Sequence, residues 1–170
     1  MDNIKEKTCA FAGNRPEDLD YDEVKVKAWL EEKIREAINE GYSDFITGMQ
    51  RGVDLWAAEI VIKLKKEGND IRLFAACAFR GMENAWVNAP RISYYYVLSE
   101  ADEVVIVSQK PGRKAFLQRN CYMVDNASRL IAVYSGMGKG TYNIINYAKE
   151  RGLEIVAFDQ DICNSPDVKE

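Results

Sequence analysis

Leu130-Ile131-Ala132-Val133-Tyr134-Ser135-Gly136-Met137-Gly138-Lys139-Gly140-Thr141 is an apolar run that passes through a glycine-rich turn into a helical pattern. Its first residues show no polar–apolar alternation, which suits a strand covered on both faces. The spacing predicts a strand over Leu130–Tyr134, a helix over Thr141–Arg151 and a further strand over Glu154–Phe158. Strand, helix and strand in that order make a βαβ unit with parallel strands.

The same alternation extends back to the start of the chain. Glu103–Val107, with its Val-Val-Ile-Val run, reads as a second buried-type strand, with Lys110-Pro111-Gly112 as its loop and a helix over Phe116–Asn126. Ile71–Cys77 is a strand, and Tyr94–Glu100 is the end of a helix that starts after Pro90. Asp44–Thr47 is a short strand broken by Gly48, and Val53–Lys66 is a helix closed by Gly68. Thr8–Ala12 is an apolar run ending at Gly13. Val24–Asn39 sets Val26, Trp29, Leu30, Ile34, Ala37 and Ile38 at helical spacing, with Gly41 where a helix C-terminus puts it. These strands and helices predict an α/β fold, a Rossmann-like parallel sheet flanked by helices. No linker or repeat divides the chain, so a single domain over residues 1–170 is expected, with a core of about 8–160 and a short polar tail over 162–170.

An apolar content of 47% in 170 residues is enough for a sizeable core. No stretch approaches the roughly 18 apolar residues of a membrane span. The first residues carry no apolar signal region, so a cytoplasmic protein with no membrane partner is expected. A net charge of −4 disfavours broad binding to nucleic acid, which depends on neutralising phosphates with Lys and Arg. Cys9, Cys77, Cys121 and Cys163 are scattered, with no CxxC pair, so no disulfide framework is expected. Cys9 and Cys77 lie in apolar runs and read as small core residues. The chain has no histidine, which excludes Ser-His-Asp and Cys-His nucleophile activation and any His-ligated metal. Acid–base chemistry falls to Asp, Glu, Lys, Tyr or Cys, and no metal is expected.

Ligands of open parallel sheets bind beyond the carboxyl ends of the strands. Four segments there are candidates. Gly136, Gly138 and Gly140 let the backbone approach an anion, and the following helix offers free N–H groups and its positive dipole end. Lys139 adds a charge and Thr141 a hydroxyl, although the GxxxxGK[ST] spacing is missing. In Thr47-Gly48-Met49-Gln50-Arg51-Gly52-Val53-Asp54, Gly48 and Gly52 could shape a second anion-binding turn. Asp54 there is either an acid–base candidate or a helix cap. Glu59 lies one turn further on and is a carboxylate candidate or simply exposed, while Trp56 reads as core. In Gly13-Asn14-Arg15-Pro16, Arg15 can fork onto a phosphate. Arg119-Asn120-Cys121-Tyr122-Met123-Val124-Asp125 offers Arg119, Asn120 and Asp125, yet Arg119 and Asp125 could equally be a surface ion pair. Arg91, after Pro90, has the same ambiguity. Tyr94–Tyr96 divides between core and interface and is the candidate surface of a homo-oligomer.

Together, Phe11-Ala12-Gly13-Asn14-Arg15-Pro16, the stretch from Gly48 to Glu59, Arg119 to Asp125, and Gly138-Lys139-Gly140-Thr141 resemble the YpsA-like family of the SLOG superfamily. That superfamily also holds the DNA-processing protein Smf and the Lonely Guy phosphoribohydrolases. The resemblance, over residues 8 to 160, implies a Rossmann-like fold and a site for a nucleotide, NAD or ADP-ribose-type ligand. Two positions depart from the pattern. The family's first motif often has His where Asn14 stands, and the Lonely Guy enzymes place a catalytic glutamate where Asn143 stands. The expected function is binding or sensing of a nucleotide-type ligand held through its phosphates by the glycine-rich strand-to-helix loops. One alternative is a nucleotide hydrolase with Asp54, Glu59 or Asp125 as acid or base. The other is an Smf-like single-strand DNA binder, disfavoured by the net charge and by the lack of a basic stripe interleaved with aromatics.

Overall fold

The computed structural model describes residues 5–159; the expected polar tail and Cys163 lie outside them. The strands are β1 (Thr8–Gly13), β2 (Asp44–Thr47), β3 (Arg72–Cys77), β4 (Glu103–Ile106), β5 (Arg129–Val133) and β6 (Glu154–Phe158). They pair in parallel in the order β4-β3-β2-β1-β5-β6. The connecting helices are α1 (Glu23–Asn39), α2 (Val53–Lys66), α3 (Asn88–Glu100), α4 (Arg113–Asp125) and α5 (Lys139–Glu150). This is the Rossmann-like parallel α/β sheet that the alternation predicts.

Side chains alternate between the faces of a strand, and each face here is apolar. Cys9, Phe11, Phe45, Leu73, Cys77, Ile131 and Val133 pack beneath α1, α2 and α3, against Val26, Leu30, Ile34, Val61, Leu64 and Val97. Each fully buried Leu, Ile or Phe contributes about 1.5–3 kcal/mol. The opposite face carries Ala10, Ala12, Ile46, Phe74, Ala76, Leu130 and Ala132, covered by Met123, Val124, Ile144, Ile145 and Ala148 of α4 and α5. Small side chains dominate that second face near the carboxyl ends of β1 and β5. They leave room between the sheet and the two helices at the edge where a ligand would enter.

The chain steps outward from β1 to β4, then returns through α4 to lay β5 on the other side of β1, with Cys9 opposite Arg129. The strand order therefore reverses between β1 and β5. Loops leaving the two strands there diverge to opposite faces and open a crevice.

Three readings are corrected. The Val-Val-Ile-Val run is the sheet's edge and not a doubly covered strand: β4 pairs with β3 alone, and Val104 is 44% exposed. Helix α3 begins at Asn88 and carries Pro90 in its first turn, where the missing N–H costs no hydrogen bond. Helices α4 and α5 begin at Arg113 and Lys139, each directly after a glycine, and not at Phe116 and Thr141. α1 opens on Asp22, whose carboxylate accepts from the Lys25 N–H at 3.1 Å.

Candidate functional site

The turns after β1, β2 and β5 and the first turns of α4 and α5 border an open cavity of about 280 Å³ at the carboxyl edge of the sheet. Its floor is Phe11, Ala12 and Gly13; its walls include Asn14, Asp54, Phe116, Arg119, Asn120, Met123 and Ile144. Gly138, Lys139, Gly140, Thr141 and Asn143 close one side, and Arg15 and Arg113 also line it.

Two glycines make this crowding possible. A Cβ on Gly13 would stand 2.3 Å from the Cβ of Val53, so the bare backbone at the end of β1 packs directly on the Val53 side chain in the first turn of α2. A Cβ on Gly48 would stand 2.8 Å from Asp54 Oδ2 and 3.1 Å from Arg119 Nε. Gly48 serves packing and does not reach the cavity wall; the same holds for Thr47, Met49 and Gly52, whereas Gln50 and Asp54 line it. The Thr47 hydroxyl donates to the Asp54 carbonyl at 2.9 Å and accepts from the Met49 N–H at 3.3 Å. That clasp holds Met49, fully buried, at φ 63. A left-handed conformation costs a side chain about 1–2 kcal/mol, which the surrounding packing has to offset.

Asn14 is a positioning residue more than a ligand contact. Its side-chain oxygen accepts from Ser135 N–H at 2.9 Å and Ser135 Oγ at 3.2 Å, and its amide nitrogen donates to the Met137 carbonyl. It therefore ties the turn after β1 to the glycine-rich turn after β5. Gly136 lies within that tied turn, off the cavity wall.

Asp54 does not cap α2; Gly52 holds the cap position and Asp54 sits inside the first turn. Its Oδ2 accepts from the Gln50 N–H at 3.3 Å, and its buried Oδ1 has no protein partner. Burial pushes the Asp54 carboxyl up to about 6, against the opposing pull of the Arg119 charge and the Gln50 N–H. Arg119 is 7% exposed. It donates from Nη1 to the Gly48 carbonyl at 2.7 Å and from Nε and Nη2 to Asn120 Oδ1 at 3.3 and 3.0 Å, and it lies over the Phe116 ring. Its own pKa is held down by burial, with the Asp54 charge acting the other way. Removing solvent strengthens each of these contacts and raises the cost of leaving any of them unmade.

The structure does not bring every candidate here. Arg119 and Asp125 are not a surface pair. Asp125 faces outward, accepting from the Tyr147 hydroxyl at 2.8 Å and pairing with Arg151 at 3.2 Å. Glu59 accepts from Ser93 Oγ at 2.7 Å on the α2–α3 side, and Arg91 lies on α3; neither lines the cavity. Of the three carboxylate candidates, Asp54 alone is on the wall. Tyr94 is core, its hydroxyl donating to Cys77 Sγ at 3.3 Å, while Tyr95 and Tyr96 are exposed. Sequence reasoning missed Asp18, Gln50, Arg113, Phe116 and Leu117 as cavity residues. Gly112, read only as loop, was the available signal that a helix end opens at Arg113.

A pH effect follows from Asp54. Folding raises its pKa from an ordinary 3.8 to about 6, so the neutral form is favoured in the folded state. Its contribution is complete below about pH 4 and is lost as the pH rises through about 6. Asp54→Asn, uncharged throughout, is expected to gain up to about 3 kcal/mol over the parent at pH 7.5 and close to nothing at pH 4. Urea unfolding of both proteins at the two pH values measures this; a difference independent of pH would refute it.

A family model described as the YspA SLOG family matches residues 10–159. A UPF0398 protein of Halalkalibacterium halodurans is 35% identical over 111 residues, which are 64% of this chain and 59% of that protein. A UPF0398 protein of Bacillus thuringiensis is 29% identical over 155 residues, covering 86% and 84% of the two chains. Among solved structures, DNA processing protein A from Streptococcus pneumoniae superimposes with a TM-score of 0.62 at 18% identity, over 90% of this chain and 50% of that one. The Helicobacter pylori protein of the same name, described by its single-stranded DNA binding mode, gives 0.64 at 15% identity, over 90% and 65%. The chain thus spans half to two thirds of these structural neighbours, and at such identity the likeness is one of fold. Among the described residues, no helix is long and apolar enough to cross a membrane.

Proposed function

Because this chain belongs to the YspA SLOG family, we propose that its cavity binds a nucleotide-type ligand, with a phosphate on the N-terminus of α5. One observation carries the reading: an uncapped helix end bearing Lys139 and Thr141 opens on the same cavity as the buried, oppositely charged Asp54 and Arg119. The free N–H groups of Lys139 and Gly140 and the helix dipole suit an anion. Asp54 lines the same cavity, and a carboxylate there suits a donor such as a ribose hydroxyl or a base N–H. The cavity walls carry Arg15, Arg113, Arg119 and Lys139 against Asp18 and Asp54, a local excess of positive charge in a chain of net charge −4.

The test is a thermal-shift panel of AMP, ADP, NAD, ADP-ribose, the parent nucleosides and a single-stranded oligodeoxynucleotide. A ligand at about 100 times its dissociation constant stabilises by about 2.7 kcal/mol. Arg15 stands at the rim, half-exposed, 3.9 Å from Glu17 and 3.7 Å from Asp18. Arg15→Ala is expected to weaken a phosphorylated ligand about 10-fold and to leave the free protein's Tm unchanged, as an exposed charge-assisted contact should. Equal affinity for AMP and adenosine would reject the anion site. The oligonucleotide belongs in the panel because the fold neighbours lend no support to the charge-based expectation against nucleic acid.

The buried, upward-shifted Asp54 favours one second reading, a hydrolase acting on an N-glycosidic bond with Asp54 as its acid. Chromatography of the AMP and NAD incubations separates the two, since release of free base, lost in Asp54→Asn, marks the enzyme.

A further inference from the structure

Asn120 lies on α4 two helical turns past Arg113, about 10 Å further along the axis. It is only 7% exposed, yet it lines the cavity. Its Oδ1 is taken, accepting from Arg119 Nε at 3.3 Å and Nη2 at 3.0 Å. Those donors fix which way the amide faces, because turning it over would set N–H against N–H. Nδ2 keeps two N–H groups, meets no acceptor among the described residues and, unlike Asp54 Oδ1, is not sealed from the cavity. Gln50, also on the wall, is arranged alike. Its Oε1 accepts from the Arg51 N–H at 3.0 Å, and its Nε2 has no partner among the described residues. A carboxylate in place of Asn120 would answer the guanidinium more strongly. An amide answers it through one atom and keeps two donors for something else.

We propose that Asn120 reads the base, so that the cavity prefers a nucleotide with a ring carbonyl (guanine, hypoxanthine or uracil) to one with an amino group there (adenine or cytosine). This rests on the nucleotide reading above and narrows it. An Asn reads adenine through both amide atoms, the oxygen accepting from N6 and the nitrogen donating to N7. Arg119 has taken that oxygen, which leaves a donor-only group. Against a carbonyl it pairs; against an exocyclic amino group donor faces donor, and both go unpaired. A second phosphate would also accept, but the local charge argues against one. The point where a Gly48 Cβ would stand lies 2.8 Å from Asp54 Oδ2 and 3.1 Å from Arg119 Nε, so the carboxylate offsets the guanidinium beside Asn120. A neutral acceptor suits that balance better than an anion. The neighbours suit a ring: Phe116 and Met123 stand one turn before and one turn after Asn120 on the same face of α4, and both line the cavity with Phe11.

Isothermal titration with two matched pairs, IMP against AMP and UMP against CMP, tests this on the parent protein, Asn120→Asp and Lys139→Ala. Ribose 5-phosphate is the control without a base. IMP is expected to bind at least about 10-fold tighter than AMP, and UMP than CMP. Asn120→Asp keeps the shape and still accepts from Arg119, but it turns the donor into an acceptor and should erase or invert both gaps. Lys139→Ala, at the exposed anion end, should weaken all four nucleotides by one factor and leave the gaps intact. AMP binding as tightly as IMP to the parent protein, or a gap that survives Asn120→Asp, overturns the base assignment and leaves the nucleotide reading standing. Ribose 5-phosphate binding as tightly as IMP does the same. Failure of all four nucleotides to bind overturns both readings. The order on the parent protein decides alone if Asn120→Asp does not fold.

Discussion

Arg119→Met is expected to destabilise the protein by about 3–5 kcal/mol at pH 7.5, more than any other cavity substitution. The guanidinium is buried and serves three partners: the Gly48 carbonyl, the Asn120 side chain and, through space, the Asp54 carboxylate. Methionine matches much of its length but donates nothing. The Gly48 carbonyl and the Asn120 oxygen lose a donor, and Asp54 is left buried with no opposing charge. The loss should shrink at pH 5, because protonating Asp54 removes the uncompensated charge. Asp54→Asn in the same background should restore a large part of the stability at pH 7.5, a coupling that two independent sites do not show. Urea denaturation of the single and double variants at the two pH values measures all of this. A loss below about 1 kcal/mol that is flat with pH would mean that solvent reaches the pair and that Arg119 acts as a surface residue.

Gly13→Ala carries the second large effect. The added methyl would stand 2.3 Å from Val53 Cβ, an atom fixed to the α2 backbone, so no rotamer change relieves the clash. α2 has to shift, and with it Asp54, one residue on. Overpacking of this kind costs about 1–3 kcal/mol, and the upper end applies where a whole helix must move. Binding is expected to fall further than stability, since the helix that moves carries a cavity wall. Val53→Gly removes the opposing Cβ, so Gly13→Ala with Val53→Gly should recover ligand binding although Val53→Gly alone weakens the helix. Thermal shift and titration with AMP read the two effects separately. Wild-type affinity in Gly13→Ala would show that the helix yields without disturbing the site.

The fold was legible because strand and helix periods alternate cleanly, and the carboxyl-edge rule then placed the turns after β1, β2 and β5 together. Local pattern carried no information on lateral order, so Val104–Val107 read as buried although an edge strand and a central one share the same composition. The supposed pairing of Arg119 with Asp125 was a failure of geometry: six residues along a helix turn the side chain through about 240°, onto another face. Arg119 points to the sheet and Asp125 to α5. Asp54 was seen, but its environment was not. Its buried state depends on Gly48 and Arg119, which come from distant parts of the chain. Arg113 was missed because its helix was started three residues late, at Phe116.

The return of the chain through α4 has a consequence during synthesis. β1 pairs on one side with β2 and on the other with β5, where Cys9 meets Arg129. A ribosome adding roughly 5–20 residues per second leaves that second edge without its neighbour for about 6–24 s. Through that interval β1 presents bare N–H and C=O groups and two apolar faces, the kind of edge that recruits foreign strands. Asp54 and the turn after β2 are made early, whereas Arg119, Arg113 and the α5 end arrive late. Nascent chains stalled near Ser108 should thus be sticky and blind to ligand, gaining both solubility and binding only once β5 has slotted beside β1.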